Sequence, residues 1–217
     1  MTKSRQNAMG GVPFRETIEV KNNLVLTARE RGKIVARREG HNIWLNLGRE
    51  YLAQLLSYSS FSPVTPTRND RIRYMGLGIG GTRQLALGVA NAAPLAAAYP
   101  GTNTQTDTDP SVTVLERPVR VSGSNETPPY PANDVWLGQI QAPPQMRTPT
   151  EVTFSRLFSD MEISYSPYLT VPLSEVMLFS GAADPNRYNN PGIAYDTFDT
   201  ISKTSSFDLE ISWTVRF

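Results

Sequence analysis

The chain contains no cysteine and a single histidine, His41. The first absence removes disulfides, thiolate metal ligands and cysteine nucleophiles together, and suits folding in a reducing cytosol. The second narrows acid–base chemistry, because any Ser–His–Asp arrangement would have to use His41. That residue sits beside Asn42 at the end of a predicted hairpin, where a polar junction is its ordinary role. No apolar run approaches the ~20 residues that a membrane-spanning helix requires. Residues 1–11 carry basic side chains with no hydrophobic stretch behind them, so they do not read as a secretory signal. A net charge of +1 gives no strong overall attraction to nucleic acid or membrane, and neither is expected as a partner.

What is present points to β-structure. Over the last twelve residues Phe207, Leu209, Ile211, Trp213, Val215 and Phe217 alternate with Ser206, Asp208, Glu210, Ser212, Thr214 and Arg216. Side chains on a strand alternate between faces, so this predicts a long strand with one dry and one wet face, lying in the main sheet. Residues 17–39 predict a hairpin turning at Glu30, Arg31 and Gly32, with the glycine supplying a positive φ. Arginine and lysine on its strands guard an edge against indiscriminate pairing. One helix is expected at about 46–57, with Tyr51, Leu52, Leu55 and Leu56 on one face and Asn46 as N-cap. Further strands are expected at 71–79, 111–116, 117–121, 151–158, 161–165, 174–179 and 193–198. Pro118 suggests an edge or a bulge.

With 217 residues, 17 prolines and 15 glycines, the chain can bury a core and join many strands by irregular loops. The expected fold is mainly β, an antiparallel sandwich or jelly-roll-like domain with one packed helix. Its organisation is a flexible basic arm over residues 1–16 and a single β-rich domain over 17–217. Long loops are expected at about 84–110, 122–150 and 181–192.

Charge is unevenly spread. Residues 1–50 hold ten Lys/Arg against five Glu, leaving the remainder at −4. This polarity favours contact with acidic neighbours, and Lys3, Arg5, Arg15, Arg29, Arg31 and Lys33 are the candidate contact residues. The hairpin cations interleave with aliphatic and not aromatic residues, which argues against a base-stacking platform. Gly76, Gly78 and Gly81 match the spacing of a dinucleotide-binding turn and follow a predicted strand. No crossover helix follows them, so glycines that permit a bend and close packing over the helix are the preferred reading. Asp107 with Asp109, and Asp196 with Asp199, supply oxygen ligands for a hard cation but lack further ligands at loop spacing. Tyr130, Trp136 and Tyr188 are candidate ligand-contacting aromatics for a carbohydrate or receptor reader. No catalytic residue, cofactor site or metal site is assigned, and the chain is not read as an enzyme.

The order of segments resembles a group of tailed-bacteriophage virion proteins. The matching pieces are Asn46, Gly48 and Arg49 with Leu52, Ala53 and Leu56, then residues 75–82, Glu116-Arg117 and Val152-Thr153-Phe154. They continue as Ser174-Glu175 with Leu178-Phe179, residues 195–204 including Lys203-Thr204, and Trp213 to Phe217, so that the resemblance covers residues 40–217. It implies a β-rich virion part: a tail, baseplate or fibre-attachment component, or a capsid decoration protein. It also implies a homo-oligomer, a trimer or ring being natural on a symmetry axis, with other virion proteins as partners. The expected location is the virion, after synthesis in the host cytoplasm. A carbohydrate- or receptor-binding sandwich module of the virion is the alternative.

Overall fold

A computed structural model describes residues 21–40, 43–57, 71–80, 109–122, 135–141, 145–148, 150–163, 170–187 and 189–216. It contains ten strands and one helix among these. In chain order they are β1 (Lys21–Glu30), β2 (Lys33–Gly40), β3 (Ile43–Trp44), α1 (Asn46–Ser57) and β4 (Ile72–Gly78), followed by β5 (Leu137–Gln139) and β6 (Gln145–Thr148). The last four are β7 (Glu151–Phe158), β8 (Val171–Ser180), β9 (Ala194–Lys203) and β10 (Asp208–Arg216). They form two five-stranded sheets, β2-β1-β10-β7-β6 (sheet A) and β3-β9-β8-β4-β5 (sheet B). Every strand pair is antiparallel. The sandwich expected from the alternating pattern is the observed architecture.

The closing strand behaves as its period of two requires. β10 is central in sheet A, with β1 on one side and β7 on the other. Leu209, Ile211, Trp213 and Val215 are buried, whereas Asp208, Glu210, Ser212 and Thr214 are only partly covered on the opposite face. The buried row meets Leu24 and Leu26 of β1, Phe154 and Phe158 of β7, and the sheet B residues Met75, Leu77, Val176, Leu178 and Phe198 in one core. Fully burying each such side chain contributes about 1.5–3 kcal/mol relative to leaving it in water.

Sheet B has a second core on its other face, which the sequence reading did not anticipate. Met177 and Phe179 of β8 and Tyr195 of β9 point away from the main core and pack with Leu45, Leu115 and Trp136. This explains why β8 is buried almost continuously and has no amphipathic rhythm.

Four expectations need correction. Residues 111–121 form no ladder strand; the segment makes isolated bridges, Gly78 with Pro118 and Ser122 with Val135. Pro118 has no N–H to give, and the flanking groups bond singly, Ile79 N–H to the Arg117 carbonyl and Val119 N–H to the Leu77 carbonyl. Residues 161–163 form a turn and not the start of a strand, and 164 and 165 lie outside the described residues. Asn46 is the first helical residue and not the cap: the Leu45 carbonyl accepts the first helical bond, from Arg49 N–H. Among the described residues the neighbours of Gly78 and Gly80 are Glu175 and the segment 116–117, where the helix was expected.

Candidate functional site

The β1–β2 hairpin is exposed over residues 30–35. Arg31 and Gly32 form a two-residue turn with φ values of 48° and 81°. Positive φ at both central positions gives a turn whose twist matches the flanking strands, which is why Arg-Gly connects them so tightly. Among the described residues β2 pairs only with β1 and forms one edge of sheet A, its Gly40 end lying against Asp196 of β9. Its register slips at Ala28/Arg29, opposite Ile34 and Ala36, leaving Val35 as the inserted residue of a bulge.

The bulge presents two consecutive aliphatic side chains to water: Ile34 is 53% and Val35 52% exposed. Cations surround them. Arg29 reaches Glu210 on β10 at 3.6 Å, and Arg37 pairs with Glu39 on its own strand at 2.7 Å. Both pairs are solvent-exposed and contribute little to stability. Arg31 and Lys33 have no ion-pair partner among the described residues. Three of the six predicted contact residues therefore meet on one hairpin: Arg29, Arg31 and Lys33. Lys3, Arg5 and Arg15 lie outside the described residues.

The other candidates are placed differently. Trp136 is only 3% exposed and belongs to the second core beside Leu137 and Met177, so it presents no ring to a surface ligand. Its position in a proline-rich stretch suggested a loop, but its backbone N–H is fixed by the Pro185 carbonyl at 2.7 Å and β5 begins at the next residue. Tyr130, Tyr188 and His41 lie outside the described residues. Asp196 is buried and Asp199 exposed, on opposite faces of β9, so they do not converge on a cation. Asp109 accepts hydrogen bonds from Ser111 N–H and Ser111 Oγ at 2.8 and 2.6 Å, which hold its carboxyl below the usual carboxylate range. Asp107 lies outside the described residues. Among the described residues no cluster of three His, Asp or Glu side chains could hold a metal ion.

Sequence reasoning missed the most unusual polar site, which lies under the glycine run. Glu175 is fully buried on the second-core face of β8. Its Oε1 accepts from Gly80 N–H at 3.1 Å and Arg117 N–H at 2.8 Å. Its Oε2 accepts from Glu116 N–H at 3.0 Å and from the Tyr195 hydroxyl at 3.1 Å. A Cβ on Gly78 or Gly80 would run into Oε1, so the glycines make room for this carboxylate. The glycine pattern that resembles a phosphate cradle thus encloses an anionic group of the chain's own. Burial pushes the Glu175 carboxyl above its ordinary value, against the opposing pull of the four donors. Burial and the adjacent Glu175 also keep the Tyr195 hydroxyl protonated far above its usual range. The site is closed to solvent, and its evident work is to fasten residues 116–117 to sheet B. The signal that could have found it was Ser174-Glu175 inside an otherwise apolar strand, since a buried carboxylate must be matched by donors.

Comparison with protein-family models, with curated proteins and with solved structures finds no match for this chain.

Proposed function

We propose that the chain is a structural component of a tailed-phage virion that self-associates and docks on other virion proteins. The reading covers a tail, baseplate or fibre-attachment part, or a capsid decoration protein. The observation that carries it is the exposed Ile34–Val35 pair on the edge strand β2, set among Arg31, Lys33 and Arg37. Consecutive large aliphatics at an edge are a contact surface in search of a neighbour, because such edges are otherwise blunted by charge or covered. The ordered segments that resemble those of phage virion proteins give this contact its proposed setting. The carbohydrate-reader alternative loses Trp136 as a surface aromatic.

The test is to raise antibodies against the purified chain and label particles from cells that carry the gene, with quantitative mass spectrometry of the same particles. Stoichiometric copies at one symmetric location are expected. Their absence from particles defeats the reading.

A further inference from the structure

Two features of the β2 edge point in one direction. Its charges are one-sided: over residues 29–39 five cations, Arg29, Arg31, Lys33, Arg37 and Arg38, stand against Glu30 and Glu39. Two copies of this edge brought together would repel, so the charges that guard it also exclude self-pairing. A simple guarded edge has no use for Ile34 and Val35 held more than half exposed beside those charges. An edge strand offers a row of backbone N–H and C=O groups, and alternate side chains decide what may add to it.

We propose that the outer edge of β2 is a docking strand for an extended, acidic segment of a partner protein, which adds to sheet A beyond β2. Carboxylates of the segment face Arg31, Lys33 and Arg37, and an apolar side chain between them covers Ile34 and Val35. The inference rests on the docking reading above and names the chemistry of the partner. Self-association then uses a surface other than this edge.

The test uses the full chain and a defined probe, an acetylated octapeptide of alternating glutamate and valine, with a lysine–valine octapeptide as control. Binding is followed by NMR shift perturbation and by fluorescence anisotropy at two salt concentrations. The acidic peptide is expected to bind at least tenfold tighter than the basic one, to weaken with salt, and to shift resonances of residues 31–39. Methylation of its alternate backbone nitrogens on the edge-facing side abolishes binding, since those N–H groups form the new ladder. The K33E/R37E variant, checked for an unchanged Tm, reverses the preference between the two peptides. Equal binding of both peptides, shifts located elsewhere, or no saturable binding overturns the proposal. Particle incorporation separates the two readings. If wild type and K33E/R37E incorporate equally and the peptide result is negative, the docking edge is wrong and the virion reading stands. If the chain is absent from particles, the virion reading falls and the peptide result alone decides the edge.

Discussion

The Tyr195 hydroxyl donates to Glu175 Oε2 at 3.1 Å, across two paired strands of sheet B, in a place that water does not reach. The hydroxyl can turn, donating to an ionised carboxylate or accepting from a protonated one. The three backbone N–H groups of Gly80, Glu116 and Arg117 cannot. The carboxyl oxygens therefore face fixed donors whatever the protonation state.

Removing those acceptors should cost more than removing the hydroxyl. Tyr195→Phe is expected to destabilise by about 1–2 kcal/mol, the cost of one lost buried hydrogen bond. Glu175→Gln sets an amide NH2 against fixed N–H donors and is expected to cost about 3 kcal/mol. Urea denaturation of the two variants checks the order, and a milder effect at Glu175 than at Tyr195 would refute the account of the site.

The same carboxyl sets a pH slope. Its folded-state pKa is raised from 4.5 by burial, so the folded protein holds the proton more tightly than the unfolded chain. Its contribution to stability is full below the unfolded value and is lost as pH climbs from 4.5 through the raised pKa. Denaturation midpoints of wild type should carry this falling component over that interval, and Glu175→Gln should lack it.

Lys203 provides a second slope, in the opposite sense. Its ammonium is buried over the Phe207 ring and donates to the Thr204 carbonyl at 2.7 Å. Burial pushes it down to about 8 from 10.5, against the pull of Asp160, Asp208 and Glu162. Between those values the unfolded chain binds more protons, so stability rises with pH from about 8 to 10.5 as the buried charge is relieved. Lys203→Met is expected to remove this rise, which parallel melts at pH 7.5 and pH 10 would reveal.

Two glycines should respond for different reasons. Gly78→Ala drives a methyl into the Glu175 carboxylate and to 2.6 Å from the Arg117 carbonyl oxygen, with an expected loss of about 3 kcal/mol. Gly32→Ala meets no atom within 4 Å but must hold a φ of 81°, with an expected loss of about 1 kcal/mol. Thermal denaturation of the pair separates collision from backbone strain.

All three tryptophans, Trp44, Trp136 and Trp213, are buried. Native emission should therefore be blue-shifted and poorly quenched by acrylamide. Trp136→Ala should cost about 3–5 kcal/mol, as for a large side chain removed from a core. A readily quenched native signal, or a silent Trp136→Ala, would restore that ring to the surface.

What the sequence revealed and what it hid follow from how local each signal is. β10 was legible because its alternation runs unbroken through Val215, and the hairpin because Gly32 between two strand-like runs marks a turn; the left-handed Arg31 that shortens it to two residues carries no such signal. Residues 111–121 looked like strands because Val112, Val119 and Val121 are buried as strand residues would be. Their fate turned on Glu175, whose oxygens take the Glu116 and Arg117 N–H groups from nearly sixty residues away. The glycine run was rightly assigned to close approach, but sequence named the helix as the neighbour where a side chain of β8 stands. The hairpin cations were legible as charge. That they flank two bared aliphatics depended on a bulge, which only the register with β1 discloses.

The second core has a directional consequence. With Trp136, Leu115 and Leu45 covering the far side of Met177, Phe179 and Tyr195, the middle of sheet B is buried on both faces. Among the described residues the outer face of sheet A carries the partly covered Asp208, Glu210, Ser212 and Thr214 of β10, with Thr214 sharing a hydroxyl contact of 3.0 Å with the buried Thr153. Among the described residues the two outer faces of the sandwich therefore differ: a second core lies over sheet B, and the β10 side chains of sheet A are left partly covered. A neighbour approaching face-on would, among the described residues, meet strand side chains at sheet A and the segments that bear Leu45, Leu115 and Trp136 at sheet B.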